Sequence, residues 1–220
     1  MVAKFKGSLL VLMIMVPACR SGNKPAVEKT ETLKVIEVSA PGVMFNGKDL
    51  EGWEITNFGP QGPVYVSGDA IILAMGDGCT GITWKKDFPE INYEVTLEAK
   101  RIEGNDFFCG ITFPVSKSPC TLIIGGWGGT TVGLSSINGR DASENETTSL
   151  RQFEKNRWYA VRLRVTADSI KAWLDSEIAV DFGIDGKVLS VRPEVELSKP
   201  FGIASWRTTA AVRKITVRGI

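Results

Sequence analysis

Histidine is absent from all 220 residues. That absence excludes Ser-His-Asp and Cys-His nucleophilic catalysis, imidazole proton shuttling and the common zinc sites. Any acid–base chemistry falls to Asp, Glu, Lys, Tyr or Cys. An excess of charge of either sign is also missing: 26 Lys and Arg stand against 25 Asp and Glu, a net +1. No basic field is available to hold phosphate backbones, so nucleic acid is not an expected partner. Cysteine is scarce, at four in the chain, and no window carries an apolar stripe at helical spacing. The apolar run Leu9 to Val16 falls well short of the roughly 20 residues that a membrane span needs.

That run follows Lys4 and Lys6, the pattern of a signal-peptide n-region and h-region. Val16-Pro17-Ala18-Cys19 then resembles a bacterial lipobox, in which Cys19 is acylated; the alternative is an ordinary secretory signal ending near Ala18. The expected organisation is a signal peptide over 1–18, a polar, lipid-anchored flexible linker over 19–41 and one folded domain over 42–220. The expected location is the cell envelope, at the outer membrane or facing the periplasm, with membrane contact through the lipid anchor only. Cys79, Cys109 and Cys120 remain, in a compartment that favours pairing. Cys109 and Cys120 flank a short connection from Phe113-Pro114 to Ser118-Pro119 and could meet across a hairpin as a disulfide. The alternative is two buried, reduced thiols.

What is present is alternation. Tyr93, Val95, Leu97 and Ala99 are apolar between Asn92, Glu94, Thr96, Glu98 and Lys100. Tyr159, Val161, Leu163 and Val165 oppose Arg162, Arg164 and Thr166. Strict period two means one buried and one wet face. Ile170–Leu174 and Glu177–Phe182 flank Asp175-Ser176, a hairpin signal. Further strands are predicted over Val64–Val66, Ile71–Ala74, Gly81–Lys86, Phe107–Phe113, Thr121–Ile124, Gly202–Ser205 and Val212–Val217. Many short strands with regular turns and no helices predict an all-β fold, a two-sheet antiparallel sandwich.

Chemistry could sit at several places. Asp106 lies at the mouth of a strand. Gly125-Gly126-Trp127-Gly128-Gly129 keeps the backbone low around one indole, as a ligand platform would; the alternative is a bulged loop with its Trp tucked under the core edge. Ser136–Ser149 is the most polar stretch, with Asn138, Arg140, Asp141, Glu144, Asn145 and Glu146, and it is long for a plain hairpin connection. Its alternative is a solvated surface loop. Trp206-Arg207 at a strand end offers stacking and a planar fork of donors, or a Trp capping the core beside a cation. Glu194-Val195-Glu196 reads as a carboxylate pair on one face of an extended segment, without the E-x-D-x-x-E spacing of a retaining jelly-roll endoglucanase.

The opening Phe45-Asn46-Gly47-Lys48-Asp49-Leu50-Glu51-Gly52-Trp53, the Gly104-Asn105-Asp106 strand entry and the closing Val212-Arg213-Lys214-Ile215-Thr216-Val217-Arg218 together resemble the 3-keto-disaccharide hydrolase domain family. The resemblance runs from about Val43 to the C-terminus and implies a concanavalin A-like jelly roll acting on sugars oxidised at C3. A C3 ketone acidifies the C2 proton, so a carboxylate can remove it without histidine. The anomeric group then leaves by β-elimination and water adds back. On this reading Asp106 or Glu146 is the base and Arg207 stabilises the enolate oxygen. Trp127 and Trp206 hold the ring, and Asn145 is a polar contact. No cofactor or metal is expected, although a divalent cation could replace the arginine as electrophile. The expected partner is a 3-keto-disaccharide or other glycan. The rival readings are a non-catalytic carbohydrate-binding module and a structural envelope adhesin.

Overall fold

Period-two alternation is realised as two antiparallel sheets packed face to face, a concanavalin A-like jelly roll. The computed structural model describes residues 42–220; the segments expected to be a signal peptide and a lipid-anchored linker, with Cys19, lie outside the described residues. Numbered along the chain, the first sheet runs β13 (Glu177–Gly183), β12 (Ser169–Leu174), β11 (Tyr159–Val165), β6 (Tyr93–Glu103), β15 (Thr209–Gly219), β4 (Ala70–Leu73) and β3 (Val64–Ser67). A short β1 (Gly42–Val43) also pairs with β15. The second runs β10 (Ser149–Leu150), β9 (Thr131–Ser135), β8 (Ser118–Gly126), β7 (Cys109–Val115), β14 (Gly202–Trp206), β5 (Cys79–Trp84) and β2 (Trp53–Ile55).

The core lies between the sheets. Tyr93, Val95, Leu97 and Ala99 of β6 meet Cys109, Ile111 and Phe113 of β7 and Leu122 and Ile124 of β8 in one cluster. Burying side chains of this size stabilises by roughly 1.5–3 kcal/mol each. The opening turn is stapled to that core. Asn46 Oδ1 accepts from the N–H groups of Lys48 and Asp49 at 2.8 and 3.1 Å. Trp53 Nε1 donates to the Met44 carbonyl at 2.7 Å, and its ring meets Trp84 edge-on at 5.1 Å. Gly52 has φ +83, and a Cβ there would come within 2.6 Å of the Trp84 ring, so only glycine fits.

Two features depart from expectation. The hairpin of β7 and β8 forms, but its register sets Cys109 opposite Ile124 and Cys120 opposite Phe113. The two cysteines are therefore four rungs apart, about 13 Å at strand rise, beyond the reach of a disulfide. All three described cysteines are free and buried, and burial pushes the Cys109 and Cys120 thiols up to about 12. Glu194-Val195-Glu196, expected to be extended, lies in a 3₁₀ turn, Pro193–Ser198, that packs on β5 and β14. Proline at its first turn fixes φ for helical winding, and Thr83 Oγ1 donates to Leu197 O at 3.1 Å to hold it down.

Candidate functional site

Because Ile203, Ile111, Leu122 and Leu134 face the core, their neighbours in sequence form the opposite face of the second sheet. Register places Gly81, Ala204, Gly110, Ile123 and Gly133 in one row across β5, β14, β7, β8 and β9. Gly202, Thr112, Thr121 and Ser135 form the next row. Three of the five residues in the first row lack a side chain, so the floor is low. Above it lies a cleft of about 210 Å³ lined by Asp106, Phe107, Thr121, Ile123, Trp127, Ser135, Arg192, Glu194, Val195 and Trp206.

One wall comes from the strand ends. Trp206 N–H donates to Phe107 O at 3.0 Å, setting those two aromatic residues side by side. Asp106 is fixed by its own N–H, which donates to Thr208 Oγ1 at 3.1 Å, and by Oδ1, which accepts from Phe107 N–H at 2.7 Å. Its Oδ2 has no hydrogen bond among the described residues. Trp127 stands at φ +46 and is 40% exposed as a residue. The glycines on either side, Gly125, Gly128 and Gly129, also have positive φ, a backbone that holds the loop low and lifts the indole.

The other wall is the segment that reaches the 3₁₀ turn. Arg192 Nε and Nη2 donate to Glu194 Oε2 and Oε1 at 3.2 and 2.8 Å, and Nη1 donates to Asp141 Oδ2. These bonds from Arg192 hold the Glu194 carboxyl below its usual range despite its partial burial, so it is a carboxylate at neutral pH. A guanidinium has five N–H donors; three are engaged here and two remain for a ligand. At Cys79, the first residue of β5, burial first, and then the charges of both Glu194 and Asp106, push the thiol up to about 12.

The residues selected from sequence divide cleanly. Asp106, Trp127 and Trp206 come together in this cleft. Glu146 does not: it is exposed and ion-paired with Lys187 at 2.7 Å, which holds its carboxyl low. Asn145 is corrected from a ligand contact to a loop organiser. Its Nδ2 donates to the carbonyls of Leu134, Arg140 and Asp141, and its Oδ1 accepts from Thr147. Arg207 also turns away from the cleft, donating to Asp77 at 2.7 Å in an exposed pair, with its guanidinium 5.7 Å from the Trp206 ring. Arg192 was missed as a site residue, and Glu194 was read only as half of a carboxylate pair with Glu196. A local signal for joining them is the Arg-Pro-Glu step, in which proline can start a tight turn that folds the carboxylate back on the arginine. No group of three or more Cys, Asp or Glu among the described residues is arranged to hold a metal ion.

A family profile described as 3-keto-alpha-glucoside-1,2-lyase-like domain matches residues 40–218. No curated protein matches the chain. Among solved structures, a protein of unknown function with galectin-like fold from Bacillus subtilis superposes with TM-score 0.56 at 11% identity, over 83% of this chain and 96% of that one. The apo Crh5 transglycosylase gives 0.56 at 13% identity, over 82% and 83%. Carbohydrate-binding module CBM66 from Bacillus subtilis gives 0.50 at 18% identity, over 80% and 99%. At these identities the likeness establishes the sandwich fold.

Proposed function

The chain belongs to the 3-keto-alpha-glucoside-1,2-lyase-like domain family, and from that premise we propose that its cleft cleaves a glycoside whose sugar is oxidised at C3. Asp106 is the base, because Oδ2 is the carboxylate oxygen in the cleft wall that carries no internal hydrogen bond. It takes the C2 proton, and the C–H electrons move into the C2–C3 bond as the ketone oxygen gains charge. Arg192, with two N–H donors to spare, stabilises that enolate oxygen. The enolate then collapses, expelling the anomeric oxygen and leaving a C1–C2 double bond; the departing oxygen takes up a proton. Water adds across that bond to give the free 3-keto sugar. Trp206 and Phe107 wall the ring, and the Trp127 indole offers a face to sugar C–H groups. Glu194 fixes Arg192 and, by its charge, disfavours binding of an anionic sugar.

The observation that carries this reading is an Asp106 carboxylate with one oxygen free of internal hydrogen bonds, lining one cleft with an arginine held by two carboxylates and with Trp127 and Trp206, in a chain without histidine. The test is to incubate the protein with a 3-keto glucoside and with its unoxidised parent. Release of the aglycone from the keto sugar alone is expected; release from both, or from neither, contradicts the mechanism. The second reading, a carbohydrate-binding module, draws on the exposure of Trp127 at the cleft mouth. Asp106→Asn separates the two: an enzyme loses turnover and keeps its ligand, whereas a binding module loses affinity and had no turnover to lose.

A further inference from the structure

The inward alternation of β6, Tyr93, Val95, Leu97 and Ala99, continues to Arg101. Its side chain is buried, at 6% exposure, and it makes no ion pair among the described residues. Nη2 donates to the carbonyls of Asp106 at 3.2 Å, Gly125 at 3.2 Å and Gly129 at 2.9 Å. The guanidinium lies 5.2 Å from the centre of the Phe108 ring and 6.0 Å from that of Phe153. Burial lowers its pKa, partly offset by the charge of Asp106. A buried cation without a carboxylate is costly, and apolar residues of the same volume commonly replace such groups without loss of stability. Core packing alone therefore gives no reason for an arginine here.

The three carbonyls supply one. They belong to the two loops that carry Asp106 and Trp127. The glycines leave room for the guanidinium: a Cβ at Gly125 would lie 2.5 Å from Nη2, and one at Gly129 would lie 2.9 Å from Asn105 O and 3.1 Å from Nη1. We propose that Arg101 is a positioning residue, a single planar group behind the cleft that fixes the Asp106 carboxylate relative to the Trp127 indole. A lysine nitrogen stops one bond short of the Nη2 position from which the three carbonyls are held, and it brings no planar group to lie against Phe108 and Phe153. The role assigned to Asp106 rests on the glycoside reading; the locking of the two loops does not.

The test is Arg101→Lys, with Arg101→Met as a second variant that keeps much of the apolar stem and removes every donor. Two readouts are taken on each folded protein: kcat and KM on a 3-keto glucoside, and the emission of Trp127, obtained as the difference from the same protein carrying Trp127→Phe. Both variants are expected to lower kcat about 10- to 100-fold, the scale of a misplacement of about 1 Å, with a smaller change in KM. Both are also expected to shift the Trp127 emission. Wild-type kcat together with unchanged emission in either folded variant overturns the proposal. If the wild-type protein cleaves no 3-keto glucoside, the function reading fails by itself and the emission alone decides: a shift supports the loop lock, and no shift overturns it.

Discussion

The outer faces of the two sheets are built on the same alternation and put to opposite use. On the first sheet, charges satisfy one another. Glu94, 2% exposed, is bound by Arg164 and Arg218 from the flanking strands, and Glu98 by Arg213 and Lys214. Arg162 lies 3.8 Å over the Trp173 ring, and Arg213 lies 4.1 Å over Trp158. On the second sheet the corresponding positions are glycine, alanine, serine and threonine with one isoleucine, Ile123, and the charged groups stand at the rim with capacity to spare. Salt bridges close a surface, whereas a low floor with a free oxygen at its edge leaves room for a ligand.

Breaking each face should therefore give different losses. Asp106→Asn is expected to lower turnover of a 3-keto glucoside by about 10²–10⁴-fold, the usual worth of a positioned base, with the unfolding midpoint little changed. Glu94→Gln is expected to do the reverse, costing about 2–3 kcal/mol in denaturant unfolding by removing hydrogen bonds to charged groups and leaving turnover intact. The pH dependence should separate the faces as well. Burial alone would raise the Glu94 pKa, but the bonds from Arg164 and Arg218 bring it below 4.5. A carboxyl with a depressed folded-state pKa stabilises above its unfolded value, and that stability is lost as pH falls through the folded value. Wild-type stability should thus decline on acidification below about pH 4.5, and the decline should be shallower in Glu94→Gln. Ile123→Phe, which enlarges a side chain lining the cleft, is expected to weaken glucoside binding about tenfold, measured by calorimetry. The smallest effect is expected from Glu146→Gln: a change in turnover of less than about twofold, since its pair with Lys187 is exposed.

Much of this contrast was legible from residue order. Alternation in β6 and β11 gave the sandwich, and Asp106, Trp127 and Trp206, picked out at strand ends, come together in one cleft. The rest failed for physical reasons. The loop over Ser136–Ser149 is polar because it satisfies itself: Asn145 spends its amide on three carbonyls, which from sequence looks the same as a side chain awaiting a sugar. Strand β9 escaped notice because Gly133 and Ser135 on its outer side carry little side chain. Glu194 is some 90 residues from Asp106 in the chain, and a 3₁₀ turn laid across the sheet brings it into the same cleft, a contact that no local pattern encodes. Arg101 was legible in principle as a cation at the next inward position of a buried face.

The most direct measurement is cleavage of a 3-keto glucoside in D₂O, read by NMR at C2 of the released sugar. Removal of the C2 proton by Asp106, followed by elimination and addition of water, predicts deuterium at C2 with the wild-type protein and loss of that product with Asp106→Asn. Cleavage that leaves the original hydrogen at C2, or deuterium incorporated at the same rate by the variant, would contradict it.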